Sequence, residues 1–261
     1  MTNILNTICA RKKIELVEEK KRCSYKSLEK LLDNKKNRNF KELLINSQKN
    51  KYNNIIAEIK KASPSAGIII EDYAPEEIAI KYEHSGVGAI SILTEQHFFK
   101  GEIDHLSLIH KNSKLPLLRK DFIIDQYQIL QSKVYKADAI LLIMSILSDN
   151  KIKEFIKIAN DCCLDCIIET HSENEFKRAL NIGYPIIGIN NRNLKTLEIN
   201  NDNSIDLISD FSKEFTIVAE SGISSNKQIR KYNEFGIFNF LIGESILKSS
   251  NINNKIKELI G

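Results

Sequence analysis

Short runs rich in isoleucine, valine and leucine recur along the chain, each followed by a polar turn and a stretch with apolar residues at helical spacing. The runs are Ile55–Ile59, Ala89–Leu93, Pro116–Leu118, Ala139–Ile143, Ile167–Glu169, Ile186–Ile189, Thr216–Ala219 and Phe240–Ile242. Helical spacing is clearest over Pro75–Tyr82, Gln126–Val134, Lys151–Asn160, Glu173–Leu180 and Asn226–Phe235. A continuous apolar run, rather than an alternating one, predicts a strand covered on both faces, as in a parallel sheet flanked by helices. Eight such alternations, with strand centres roughly 20 to 35 residues apart, predict an α/β chain folded as a (β/α)8 TIM barrel. Active sites in that fold gather at the C-terminal ends of the strands. The competing architecture is an open doubly wound sheet. It requires a glycine-rich dinucleotide loop after the first strand, and Ser63-Pro64-Ser65-Ala66-Gly67 is not one.

Ahead of the first strand, residues 3–22 carry Ile4, Ile8, Ile14 and Val17 at helical spacing. The lysine-rich stretch 24–50 reads as irregular. Residues 1–50 are therefore expected to be an N-terminal helical extension packed on a barrel of residues 51–261, either capping it or lying over its mouth; 50 residues are too few for a separate domain.

Composition narrows the partners. With 42% hydrophobic and 28% charged residues, the 261-residue chain belongs with soluble globular proteins. No apolar run approaches the roughly 18 residues of a membrane helix, and the first residues lack a secretory pattern. A cytoplasmic protein with no membrane partner is expected. The net charge of +4 divides into +8 over residues 1–51 and −4 over the remainder. A basic leader, rather than a basic groove interleaved with aromatic residues, accounts for the excess, so no nucleic-acid partner is expected. Five cysteines in a chain this long do not suggest a disulfide framework. Cys163-Leu164-Asp165-Cys166 has redox or zinc spacing, but no second Cys or His pair accompanies it, and core packing is the expectation.

Polar groups cluster where the barrel reading puts its active site. Side chains two apart on a strand share a face, so Glu58 and Lys60 project together from the first strand. Burying either is costly unless it is paired or has a task. The third strand runs into Leu118-Arg119-Lys120-Asp121-Phe122, the fifth into Glu169-Thr170, the sixth into Asn190-Asn191-Arg192 and the seventh into Glu220-Ser221-Gly222. The eighth runs into Gly243-Glu244-Ser245. Small residues before a helix start at the last two ends suit a phosphate dianion. Glu244 would repel such a ligand and is expected to point away. Lys60, Lys120, Glu58 and Glu169 form a ring of two cations and two anions, the setting in which neighbours shift pKa values for acid and base work.

These segments resemble the indole-3-glycerol phosphate synthase family. The resemblance rests on Ala57–Ser65, Ile90–Glu95 with Phe98–Gly101, Leu118–Phe122, Ile168–His171, Gly188–Thr196, Ala219–Ile223 and Ile242–Ser245, in the family's order across the chain. Glu-x-Lys-x-x-Ser-Pro-Ser, Leu-x-Lys-Asp-Phe and Asn-x-Arg-x-Leu are its most specific parts. Ala62 stands where a charged residue is frequent, and Thr170 where an aliphatic is usual. The resemblance implies ring closure, with loss of carbon dioxide and water, of 1-(2-carboxyphenylamino)-1-deoxyribulose 5-phosphate in tryptophan biosynthesis. It implies Lys120 as general acid and Glu169 in proton transfer. Lys60 binds the substrate carboxylate or acts as a second acid, and Glu58 orients hydroxyls and tunes the lysines. Asn190 and Arg192 position the substrate. Ser63, Ser221, Gly222, Gly243 and Ser245 hold the phosphate, and Phe99 and Phe122 wall the aryl ring. No metal or cofactor is expected, and a monomer is. Two other readings are a different phosphate-binding barrel, such as phosphoribosylanthranilate isomerase, which works with a Cys and Asp pair, and a non-catalytic barrel.

Overall fold

The computed structural model describes residues 4–33, 35–193, 196, 198–208 and 215–261. Asn3, at the start of the expected first helix, and Leu194 and Lys195 of the family motif lie outside the described residues. In chain order the elements are α1 (Ile4–Arg22), α2 (Tyr25–Leu31), α3 (Phe40–Asn50), β1 (Asn54–Ile59), β2 (Ala62–Ser63), β3 (Gly67–Ile68) and α4 (Pro75–Glu83). Next come β4 (Ala89–Leu93), α5 (Asp104–Asn112), β5 (Leu117–Lys120), α6 (Gln126–Val134), β6 (Ala139–Ile143) and α7 (Asp149–Asp161). The chain continues through β7 (Asp165–Thr170), α8 (Glu173–Ile182), β8 (Ile186–Asn190), α9 (Asn203–Ile208), β9 (Thr216–Glu220), α10 (Asn226–Glu234), β10 (Asn239–Ile242), α11 (Glu244–Leu247) and α12 (Ile252–Ile260).

Eight strands close into one parallel barrel, in the order β1-β4-β5-β6-β7-β8-β9-β10 and back to β1. Almost every barrel-strand residue is buried, which is why these strands read as unbroken apolar runs. β2 and β3 pair antiparallel in the connection after β1, an addition the apolar pattern does not contain. β5 extends two residues beyond the apolar run at Leu118, because Arg119 and Lys120 continue its ladder opposite Ile92 and Leu93. Helix starts follow local chemistry: Ser148, Ser172 and Ser225 each cap a helix by accepting a backbone N–H three residues on.

The stretch 24–50 is not irregular throughout: it holds α2 and α3, and the described residues between them have no regular structure. Ser24 caps α2, and α3 buries Phe40, Leu44 and Ser47 on one face. Packing, not propensity, makes α3 a helix: it lies against β7 to β10 and plugs the end of the barrel where the strands begin. Ser47 Oγ donates to Asn239 Oδ1 at 2.6 Å, and Asn239 Nδ2 donates to the Leu44 carbonyl at 3.0 Å. Asp138 and Asp165, at other strand starts, accept the backbone N–H groups of Arg38 and Lys41. Meanwhile α1 runs along α6 to the opposite end. Gln131 donates to Glu19, and the Tyr127 hydroxyl donates to the Cys23 carbonyl. The first 50 residues thus reach both ends of the barrel. Cys166 is buried within β7, Cys163 is half-buried in the preceding turn, and both are free thiols.

Candidate active site

Strand alternation sorts the charged residues at the end of β5. Arg119 turns outward beneath α6, where its guanidinium donates to the Gln128 carbonyl, Gln131 Oε1 and Ser132 Oγ. Lys120, one residue on, turns inward. Its ammonium donates to Glu169 Oε2 of β7 at 2.9 Å and to Glu220 Oε2 of β9 at 3.0 Å. Glu58 on β1 and Lys60, one residue beyond its end, hydrogen-bond to each other. These groups open onto a single cavity of about 380 Å³.

All thirteen residues expected at the site line this cavity: Glu58, Lys60, Ser63, Phe99, Lys120, Phe122, Glu169, Asn190, Arg192, Ser221, Gly222, Gly243 and Ser245. Asn190 Nδ2 lies 3.3 Å from Glu169 Oε1, and its own Oδ1 accepts the Arg192 N–H. The Ser245 hydroxyl donates to the Ile223 carbonyl, so it shapes the wall while its side chain is engaged locally.

Electrostatics divide the carboxylates. Burial alone would depress the Lys120 pKa, but Glu169, Glu220 and Glu58 outweigh it and hold the ammonium protonated well above the ordinary lysine range. Burial also opposes ionisation of Glu169, yet Lys120 and His171 overcome it and keep its pKa well below the usual carboxylate range. Glu220 shares the same lysine with a second anion. Burial dominates there and pushes its pKa up to about 7. The pair therefore divides one ammonium unequally, with the anionic form favoured at Glu169 and disfavoured by burial at Glu220.

The aromatic wall is held from outside the cavity. The buried Glu95 carboxylate accepts the backbone N–H groups of His97, Phe98 and Phe99, fixing the loop that presents Phe99. Phe122 is set by Asp121, whose Oδ1 accepts its N–H at 2.8 Å. Asp121 is itself buried, and Lys12 and Arg119 keep it ionised despite that burial. Phe99 and Phe122 face one another with centroids 6.2 Å apart. Ile4, Leu5 and Ile8 of α1 add to the apolar side.

Where β9 and β10 end, the backbone comes forward. Ser221 and Gly222 are consecutively left-handed, at φ 67° and 78°. A Cβ on Gly222 would lie 2.1 Å from Asn201 Oδ1, and one on Gly243 would lie 2.7 Å from Glu58 Oε1. Glycine is needed at both for close approach. Glu244, expected to point away, instead lines the cavity. Lys248 bonds its carboxylate at 2.6 Å and Arg192 faces it at 3.9 Å, so two cations offset the charge there.

Glu220 is the group to which sequence reasoning assigned no role, although it sits at a named strand end. Its signal was positional, since the ladder sets it beside Asn190 on β8. The α1 side chains carried no signal beyond helical spacing.

Comparisons with known proteins agree with this geometry. The family model described as "Indole-3-glycerol phosphate synthase" matches residues 5–259. The curated protein of that name from Acetivibrio thermocellus is 43% identical over 258 residues, covering 98% of each chain. That from Aliarcobacter butzleri is 42% identical over 255 residues, covering 97% of each. Among solved structures, 3-hexulose-6-phosphate synthase from Salmonella typhimurium superposes with a TM-score of 0.64 at 11% identity, over 79% of this chain and 96% of that one. That likeness is one of fold alone. With the strand-end residues in one cavity and near-full-length matches at this identity, the chain belongs to the indole-3-glycerol phosphate synthase family.

Proposed function

We infer that the cavity closes the indole ring of 1-(2-carboxyphenylamino)-1-deoxyribulose 5-phosphate and releases carbon dioxide and water. The observation that carries this reading is the Lys120 ammonium held between Glu169 and Glu220 beside an aromatic wall. Attack of the aryl carbon on the ketone forms the C–C bond and turns the carbonyl oxygen into an alkoxide. Lys120 gives its proton to that oxygen. Although its flanking carboxylates make it a weak acid, an alkoxide is more basic than an amine, so the transfer runs downhill. The ring carboxylate then leaves as carbon dioxide and its bonding electrons restore the aromatic ring. The new hydroxyl, protonated by Lys60 as second acid, departs as water, pushed by the nitrogen lone pair, and Glu169 takes the carbon-bound proton whose loss completes the indole.

Lys60 suits the substrate carboxylate and Glu58 the sugar hydroxyls, while Asn190 and Arg192 hold the chain between them. Ser63, Ser221, Gly222, Gly243 and Ser245 form the phosphate cup, and Phe99 and Phe122 pack on the aryl ring. Residues 1–50 act as an extension of a barrel spanning 51–261, and the enzyme works as a cytoplasmic monomer. No cysteine lines the cavity among the described residues, which weighs against the isomerase reading. Incubating the pure protein with the substrate and following indole fluorescence tests the proposal. A rise is expected, and a flat trace with folded protein overturns it.

A further inference from the structure

The side chain just beyond the β7 strand end is a buried imidazole with a carboxylate at each nitrogen. His171 Nε2 lies 2.9 Å from Glu169 Oε1, and Nδ1 lies 3.3 Å from Glu175 Oε2. The same Glu175 oxygen accepts the His171 backbone N–H at 2.9 Å, so the first turn of α8 fixes the clamp. A neutral imidazole has one N–H and one lone pair, and the lone pair would face an anion here. Only the imidazolium suits both neighbours, hydrogen-bonding Glu175 through Nδ1 and meeting Glu169 as a charge contact in which Nε2 is not aligned for a hydrogen bond.

We propose that His171 is a positioning residue, an imidazolium clamped between Glu169 and Glu175 that keeps the Glu169 carboxylate ionised and aimed into the cavity. Lys120 occupies one Glu169 oxygen, and His171 with Asn190 occupies the other. The carboxylate is thereby held from both sides. Glu220 of β9 feels the His171 charge, Glu198 lines the cleft beside the imidazole, and Lys120 stands on the far side of Glu169. The anions outnumber the cation around the ring. In keeping with this, burial alone would lower the His171 pKa, but Glu169 and Glu175 raise it to about 9.

The inference deepens the proton-transfer role given to Glu169 and rests on that reading, but its test does not need turnover. NMR titration of the wild-type protein, reading the His171 ring and the Glu169 side-chain carboxyl carbon, should show the ring protonated through neutrality and Glu169 ionised throughout. In Glu175→Gln, on a helix outside the cavity, the ring midpoint should fall by about one unit, corresponding to the loss of one ionic partner. In His171→Gln, Glu169 should titrate at least about one unit higher, and the acid limb of kcat should move upward by the same interval. KM should change less than kcat. A ring midpoint at or below the ordinary 6.5 overturns the proposal, as does an unmoved Glu169 titration in folded His171→Gln. Should that variant not fold, Glu175→Gln decides alone, an unchanged ring midpoint counting against the clamp. Absence of indole product from wild type would sink the assigned reaction and leave these titrations readable.

Discussion

At the scale of single residues, Lys120 and His171 make the sharpest claims. Replacing Lys120 with Ala should lower kcat by about 10² to 10⁴ with a much smaller change in KM, as expected when a transition-state proton donor is lost; steady-state kinetics would show it, and an unchanged kcat would remove its acid role. His171 also makes stability depend on pH. Its folded pKa of about 9 lies above the ordinary value, so its contribution is complete below about pH 6.5 and disappears as pH rises through about 9. The loss is at most roughly 3 kcal/mol. Urea unfolding at pH 6 and pH 9.5 should show a larger drop in wild type than in His171→Gln. Residue identities were the most legible layer, since period-two alternation put Glu58 and Lys60 on one face and the apolar runs they follow put Lys120 and Glu169 at strand ends. Glu220 was not assigned a part, because a strand end names its residues without saying which oxygen meets which ammonium. Glu244 was misread for a related reason: a phosphate-repelling charge was weighed without Lys248, one helical turn away.

Whole elements divide by what buries them. The eight barrel strands were legible because both faces are covered, leaving runs dominated by isoleucine, leucine and valine with few polar residues among them. β5 was read short since its two last residues are charged, one serving the helix layer and the other the cavity. α3 escaped because it is short and sits in a lysine-rich stretch, and it is held by Asp165 and Asn239, which follow it in the chain by more than a hundred residues. Helix α1 makes a testable claim. Lys12, almost fully buried, joins Glu15 at 3.0 Å and Asp121 at 3.3 Å, tying α1 to the turn that presents Phe122. Lys12→Met leaves Asp121 with less compensating charge. A loss of up to about 3 to 5 kcal/mol is expected in chemical denaturation, together with a raised KM as the Ile4, Leu5 and Ile8 side of the cavity loosens. Unchanged KM and unfolding midpoint together would show that α1 is not held by this pair.

For the molecule as a whole, the extension and the barrel are stitched at both ends, by Lys12 and Tyr127 near the mouth and by Arg38, Lys41 and Ser47 at the floor. Thermal unfolding followed by circular dichroism and by tyrosine fluorescence should therefore give one coincident transition. An early melting of residues 1–50 in either signal would mean that the extension is only loosely attached. The closed barrel was legible from the spacing of its strands, whereas the floor was not, since a helix that seals a barrel has no period of its own in the sequence. That floor has a consequence for biosynthesis. Ser47 and the Asn239 amide it meets are 192 positions apart, so at typical elongation rates the ribosome releases the partner about 10 to 40 seconds after the helix emerges. For that interval Phe40 and Leu44 have nowhere to dock, and the nascent α3 is the segment that a chaperone binding early hydrophobic chain would hold first.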